Sequence, residues 1–556
     1  MTTPANFSRQ RLEATREFAH TMILVDDEAW KPFPRRVIPR AGLRAPRRGH
    51  HIATTNDAQQ ELFLIRHALN TEELVDAAMG LGLICAVIKP PKGRSFKAQI
   101  GSAAQRADIV CVDWELYSDS GNSATNIITE IVRLDEKRNG RLRLIAIYTG
   151  DTNNNQILEK VFDAFPQSFR TKYQLKRDAV RIESNHGLRI VCLFKAHGVQ
   201  LADARKDRQV KESDLPERLQ TEFSLLAGGL LSNLALATIA SIRDLTHHVL
   251  AKMEESMDAP YFHHRALLPM VGDAEEYGVE VVLSDLKSAV DKQGVAQRYA
   301  GPETIAARVR EMAKGAGNLR LWYETNGALT DFAISVDDAI KLITDGNRST
   351  HAKIAGGQKP SLRIFAREMS SLFTTDLYAA RTAMRQFAAL TGVREHPGSY
   401  LYKSGAKRPE LGLGSIVKNS KGAYCLCLQA SCDSVRLKKK AAFLFVPLQI
   451  TDDRPDHVVP ALRKGGKIDF IGLSAPGTAY AELLSVRFDP DVKTQTVLAR
   501  KLSRRRGLFF KSSNGETYRW VADLKQRRAL RTAQKLGQTM GRLGFDEFEP
   551  FRQSDD

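Results

Sequence analysis

Ala107-Asp108-Ile109-Val110-Cys111-Val112-Asp113-Trp114-Glu115-Leu116 is the stretch on which the fold turns. Its apolar run, Ile109 to Val112, has the length of a buried strand, and Asp113 closes it. A carboxylate at the carboxyl end of a buried parallel strand lies on the ligand edge of an open α/β sheet. Three other runs end in the same manner. Thr21-Met22-Ile23-Leu24-Val25 runs into Asp26-Asp27-Glu28, Leu142 to Tyr148 into Thr149-Gly150, and Leu188 to Phe194 into Lys195. Leu83 to Ile88 supplies a further strand. Thr71 to Gly80 reads as a helix with Thr71 as N-cap and Glu72 and Glu73 in its first turn, and Thr125 to Arg133 as an amphipathic helix. Alternating strands and helices imply right-handed βαβ crossovers.

The residues at those strand ends suit one chemistry. A carboxylate can accept a phosphoryl group and become an acyl phosphate. Neighbouring carboxylates would repel the incoming anion unless a divalent ion sat among them, and Mg²⁺ suits an oxygen-rich, partly hydrated site. A lysine adds a point charge, and a hydroxyl can follow the new phosphoryl oxygen and pass the change on.

In chain order, the acidic pair, Asp113, Thr149 and Lys195 resemble the receiver domain of two-component response regulators. The resemblance covers residues 21–200. It implies a flavodoxin-like, doubly wound, five-stranded parallel sheet. It also implies that Asp26 and Asp27 bind Mg²⁺, Asp113 is the phosphoacceptor, and the backbone carbonyl of Glu115 is a further metal ligand. Thr149 would be the switch hydroxyl, Lys195 the phosphoryl-binding lysine, and a cognate histidine kinase the partner. Leu116 and Gly121 fit the family's loop after the phosphoacceptor. The departures are specific. Ala196 and Tyr117 stand where the family has proline, and Cys192 where it has an aromatic switch residue. An insertion around Gln167 to Gly187 lengthens the path from Thr149 to Lys195. These changes leave phosphorylation chemistry intact and put the usual output face, on strands four and five, in doubt. A receiver that acts without phosphorylation is the alternative.

A chain of 556 residues suggests about three domains. The expected division is a receiver-like α/β domain at 1–200, a helical linker or dimerisation region at 201–360, and an α+β output module at 361–556. Gly346 and Gly356-Gly357, with Pro360 following, mark a hinge. Short strands are expected at Ala423 to Leu428, Ala441 to Leu448, Lys467 to Leu473 and Ala481 to Phe488, forming a small, mostly antiparallel β domain. A basic helix is expected from Tyr518 to Leu543, carrying Arg519, Lys525, Arg527, Arg528, Arg531, Lys535 and Arg542, with Arg504-Arg505-Arg506 before it.

The net charge of +18 favours a polyanionic partner, either nucleic acid or an acidic protein. The terminal basic helix and the proline-broken segment Lys31 to His51 are candidate surfaces, with solvated faces as the plain alternative. The scattered cysteines argue against a disulfide framework, and the charged first twenty residues against a signal peptide, so a reducing cytoplasm is expected. Cys425, Cys427 and Cys432, with His457 nearby, raise the question of zinc, but buried core cysteines fit better. His247 and His248 read as surface or packing residues of a helix rather than phosphate carriers.

Ser224 to Ile242 is uncharged and approaches the roughly 20 residues needed to cross a bilayer. The near-helical spacing of Leu231, Leu234, Ile239, Ile242, Leu245 and Val249 favours a buried or dimer-forming helix instead, and a homo-oligomer. Two functions remain. One is a phosphorelay protein with no enzymatic activity beyond its own phosphorylation and dephosphorylation. The other is a nucleic-acid-binding or bacterial defence effector that keeps the receiver as a scaffold.

Overall fold

The computed structural model describes residues 6–32, 68–91, 97–138, 140–185, 187–197, 203–270, 272–354, 359–374, 376–397, 408–462, 468–475, 482–502 and 507–540. Residues 33–51 of the basic segment, Gly356-Gly357, Arg504-Arg505-Arg506 and Arg542 lie outside them. The chain divides into two compact units, Met1–Ala316 with Ala339–Asp345, and Gly317–Asp338 with Gly346–Asp556.

The first unit begins with α1 (Phe7–Phe18) and β1 (Thr21–Val25), followed by α2 (Thr71–Gly80) and β2 (Ile84–Ile88). Next come α3 (Lys97–Ala104), β3 (Ile109–Asp113), α4 (Asn122–Lys137), β4 (Arg143–Thr149), α5 (Asn154–Asp163) and α6 (Gln167–Lys172). The layer continues with β5 (Lys176–Arg177), β6 (Arg181–Glu183), β7 (Leu188–Lys195), β8 (Gln209–Val210), α7 (Leu215–Ser224) and α8 (Leu230–Asp244). Five parallel strands run in the order β2-β1-β3-β4-β7. This is the flavodoxin-like order, whose direction reverses between β1 and β3 and opens a crevice there.

Every residue of β3, β4 and β7 is buried, as the unbroken apolar runs of central parallel strands require. Alternate side chains serve two cores. On one face Ile100, Ile127, Ile131, Ile157 and Val161 of α3, α4 and α5 pack on Val112, Ile147 and Cys192. On the other, Leu74 and Ala78 of α2 and Leu215, Leu219 and Phe223 of α7 pack on Leu24, Cys111, Ala146 and Leu193. Leu74, Leu215, Leu219 and Phe223 are fully enclosed, each contributing about 1.5–3 kcal/mol. The α/β layer therefore closes with α7. Asn70, not Thr71, caps α2, its side chain accepting from the Glu73 amide. The Thr71 hydroxyl accepts from the Trp30 amide instead.

The apolar run from Ser224 does not form one helix. It turns through 117° between Leu215–Ala227 and Leu230–Asp244, at Gly228-Gly229. No single helix among the described residues is long and apolar enough to cross a membrane, although this bent pair passes on length and composition. α8 buries Asn233, Leu236, Ala237 and Ala240, with Ala237 packed near Ala14 of α1, whereas Leu231 and Ile239 are exposed. The small residues let α1 approach closely, which rotates the expected Leu/Ile stripe partly outward. His247 and His248 are exposed, with their ring centres 3.8 Å apart and the planes tilted by 39°.

The second unit contains a β-hairpin where helix was expected, β9 (Asn318–Thr325) with β10 (Ala328–Ser335). Asn326 and Gly327 both take positive φ, as a two-residue hairpin turn demands. Helix α9 (Leu377–Gly392) then precedes β11 (Val393–Glu395), β12 (Ser415–Lys418), β13 (Tyr424–Cys427), β14 (Ala441–Ile450), β15 (His457–Leu462), β16 (Ile468–Ser474) and β17 (Leu484–Phe488). β18 (Arg500–Lys501), β19 (Leu508–Lys511), β20 (Thr517–Leu524) and helix α10 (Gln526–Met540) complete the unit. These strands pair antiparallel throughout, in the order β15-β16-β14-β13-β12-β20-β19-β18, with β11 beside β20 and β17 beside β14.

Tyr518 to Leu524, expected as helix, is therefore a strand. Its buried Tyr518, Trp520, Ala522 and Leu524 recur with period two, and the basic helix starts only at Gln526. Cys425 and Cys427 lie in the core with Val417, Phe443, Phe445 and Trp520, and burial pushes their thiols up to about 11 and about 12. Cys432 is exposed, and His457 lies against Thr532 of α10. Among the described residues these cysteines do not gather into a metal-ligand group.

Candidate functional site

The carboxyl ends of the parallel strands are in register. Val25 pairs with Val112, Asp113 with Tyr148, and Thr149 with Phe194. That alignment brings Asp26, Asp27, Asp113, Thr149 and Lys195 to one edge, at the β1/β3 crevice. Asp26, Asp27 and Asp113 each offer a carboxylate oxygen, all within 4.8 Å of one another. Lys195 Nζ donates to Asp26 Oδ2 at 2.9 Å and lies 3.2 Å from Asp113 Oδ1. The side chains of Lys195, Asp26 and Asp113 are 0%, 1% and 3% exposed, so the ion pairs are dry.

The remaining oxygens are mostly engaged by nearby backbone. Asp26 Oδ1 accepts from the Glu28 amide at 2.7 Å, and Asp113 Oδ2 from the Glu115 amide at 3.1 Å. The Glu115 carbonyl accepts from the Ser118 amide, which leaves one lone pair. Thr149 is fully buried, and its Oγ1 accepts from the Asp151 amide at 3.0 Å. Its own proton is left to donate.

The loop after Asp113 explains one departure from the family. Tyr117 has φ 55°, which proline, fixed near −65°, cannot adopt. Its amide donates to Asp27 Oδ2 at 3.1 Å, a bond proline cannot make. Ser118 and Ser120 also take positive φ, at about 1–2 kcal/mol each. The Ser120 amide bonds Glu115 Oε2, and Lys160 Nζ holds the Ser120 carbonyl at 2.8 Å. Gly121, φ 79°, lies under the Trp114 ring, which a Cβ would strike.

Three carboxylates and one ammonium, all ionised, would leave excess negative charge in a closed site. Burial, opposed by Lys195 and reinforced by Asp26, pushes Asp113 up to about 8. Burial likewise raises Asp27, moderated by the Tyr117 amide. Burial would depress Lys195, but Asp113 and Asp26 outweigh it and hold the ammonium above its usual range. Asp113 Oδ1 is enclosed and receives no hydrogen bond of normal geometry. Converging hard oxygens, surplus negative charge and an under-satisfied carboxylate oxygen fit a divalent cation such as Mg²⁺.

Other residues join the site without having been anticipated. The Tyr148 ring is 5.7 Å from Lys195 Nζ, and its hydroxyl donates to the Val210 carbonyl at 2.9 Å. His197 Nε2 lies 3.0 Å from Oε2 of the fully buried Glu212. Together they tie the site to β8 and the segment entering α7. Only the position of Tyr148, directly before Thr149, signalled it in the sequence. Cys192 faces the opposite core, and burial pushes its thiol up to about 12.

The insertion at 167–187 folds into α6 and the β5–β6 hairpin, and β6 pairs antiparallel with β7 through Arg181, Ile182 and Glu183. β8 pairs with the end of β7 at Phe194 and Lys195. The outer edge of β7 is thus covered, and the chain bends at Ala196 although no proline stands there.

Residues 18–200 match the response receiver domain family. That segment is a receiver domain, of the kind that serves phosphorelay signalling and works with histidine kinases. No curated protein and no solved structure was found to match the chain.

Proposed function

We propose that the receiver accepts a phosphoryl group on Asp113 from a cognate histidine kinase and passes the change to the rest of the chain. The supporting observation is the sealed cluster in which Lys195 joins Asp26 and Asp113 beside Asp27. A carboxylate oxygen of Asp113 attacks phosphorus and the phosphorus–nitrogen bond of the phosphohistidine breaks; its electron pair stays on the departing ring nitrogen, and the ring, already protonated on its other nitrogen, leaves as neutral imidazole. Lys195 turns from Asp113 to a phosphoryl oxygen, and Thr149 donates its hydroxyl proton to another. Asp26, Asp27, Asp113 and the Glu115 carbonyl would hold Mg²⁺, which supplies positive charge to the phosphoryl oxygens when bound. Hydrolysis of the acyl phosphate resets the switch, and we assign the chain no further enzymatic activity.

The covered edge of β7 supports output by another route, through Tyr148, β8 and α7. In this reading 1–200 receives the signal, 201–360 transmits it or dimerises, and 361–556 acts on the partner, in the cytoplasm. Labelling of the purified chain with a small phosphodonor and Mg²⁺ tests it. An adduct that is stable in acid, labile in base and absent from Asp113→Asn is expected. An undiminished adduct on that variant would sink the proposal.

A further inference from the structure

The sheet of the second unit carries a row of side chains that phosphoryl transfer does not use. Arg500 of β18 pairs with Phe509 of β19, Phe509 with Arg519 of β20, Arg519 with Lys418 of β12, and Lys418 with Tyr424 of β13. Directly opposed residues share a face of the sheet. These five therefore form one stripe across five adjacent strands, about 19 Å long at ~4.8 Å per strand. Lys511, exposed and paired with Thr517, extends the same face. The intervening residues Phe510, Tyr518, Trp520, Val417 and Cys425 fill the core on the opposite side.

The charges in this row are largely uncompensated. Lys418, Arg519 and Lys511 have no ion pair among the described residues, and Arg500 meets Asp491 at 3.3 Å. Lys418 Nζ lies 4.8 Å from the Tyr424 ring centre, and Arg519 Nε runs close over Gly507. The aromatic and backbone surface beneath thus seats the cationic heads. The terminal helix is the weaker candidate. Its Lys535 pairs with Asp456 at 3.3 Å, and its Arg528 bonds the Asp456 carbonyl.

We propose that this stripe binds the phosphodiester backbone of nucleic acid without reading its sequence. A row of cations, with Lys418 and Arg519 adjacent and without an ion pair among the described residues, can meet successive phosphates, and phosphate contacts position a nucleic acid without specifying it. The assignment is independent of phosphoryl transfer at Asp113.

The test uses the full chain and fluorescently labelled mixed-sequence oligonucleotides, single-stranded and duplex, DNA and RNA, in anisotropy titrations across a salt series. Lys418→Glu with Arg519→Glu should weaken binding at least about tenfold, and Lys418→Gln with Arg519→Gln should flatten the salt slope by about 1–2. Lys535→Glu should have the smaller effect. Circular dichroism with the signature of the wild type should show that the sheet still folds. Undetectable salt-dependent binding by the wild type, wild-type affinity in the folded Lys418→Gln, Arg519→Gln variant, or displacement by polyglutamate as effective as by oligonucleotide would overturn the assignment. The last result would point to an acidic protein.

Discussion

Lys195 Nζ lies 3.2 Å from Asp113 Oδ1, and both side chains are closed to solvent. The partnership is made by strand register, since β3, β4 and β7 end on the same edge of the sheet and Lys195 reaches past β4 to Asp113, and it couples folding to chemistry. In the proposed reaction, an ammonium that balances Asp113 and Asp26 beforehand would meet the phosphoryl group afterwards.

Removing that ammonium leaves two buried carboxylates without their counter-ion. Lys195→Met should destabilise the metal-free protein by about 3–5 kcal/mol, the usual cost of breaking a buried pair from one side. Urea unfolding followed at the receiver would show it. A loss below about 1 kcal/mol would mean that the pair is solvated or absent.

Magnesium should stabilise the receiver by binding the folded form. The Tm should rise with added Mg²⁺ in the wild type, and Trp114, 4% exposed beside the site, offers a fluorescence signal. Asp27→Asn should lose most of the rise. An equal rise in Asp27→Asn would contradict the assignment of Asp27 as a ligand.

Restoring the family's proline should harm this chain. Tyr117→Pro removes the amide bond to Asp27 and cannot keep φ at 55°. A loss of about 3 kcal/mol and a weaker response to Mg²⁺ are expected. Gly121→Ala should cost a similar amount because its Cβ would enter the Trp114 ring, and less in a Trp114→Leu background. Unfolding curves for these variants decide the matter, and unchanged midpoints would refute the loop account.

His457 predicts a pH effect in the second unit. Burial, with Arg528 adding to it, lowers its pKa from 6.5 to about 4. The folded state keeps the ring neutral while the unfolded chain takes a proton below its ordinary pKa. Stability should therefore fall as pH drops from 6.5 toward about 4, by ~1.4 kcal/mol per unit across that window. His457→Gln should flatten the decline above pH 5.5, about one unit below the usual histidine value and ahead of most carboxylate titration. An equally steep decline in the variant would assign the effect to other groups.

The strand-end residues were legible because short apolar runs stop abruptly at Asp26, Asp113, Thr149 and Lys195, and parallel strands align their ends. Tyr117 was not. Its left-handed backbone answers to Asp27, ninety residues away in sequence, a tertiary bond that no local pattern encodes. The β9–β10 hairpin was signalled by Asn326-Gly327 and overlooked among helices. β20 was hidden by the charges from Arg519 to Lys535, which suggest one helix, whereas burial alternates from Thr517 to Ala522. Tyr148 escaped notice because its tie to Val210 depends on β8, a strand of two residues.

The central claim is that Asp113 carries the phosphoryl group. Borohydride reduces an acyl phosphate to the alcohol, which would convert Asp113 to homoserine in a peptide map after phosphodonor and Mg²⁺ treatment. Homoserine at 113, dependent on Mg²⁺ and diminished in Asp27→Asn, is the expected result. An unmodified Asp113 in a protein that binds Mg²⁺, or modification at another residue, would contradict the account.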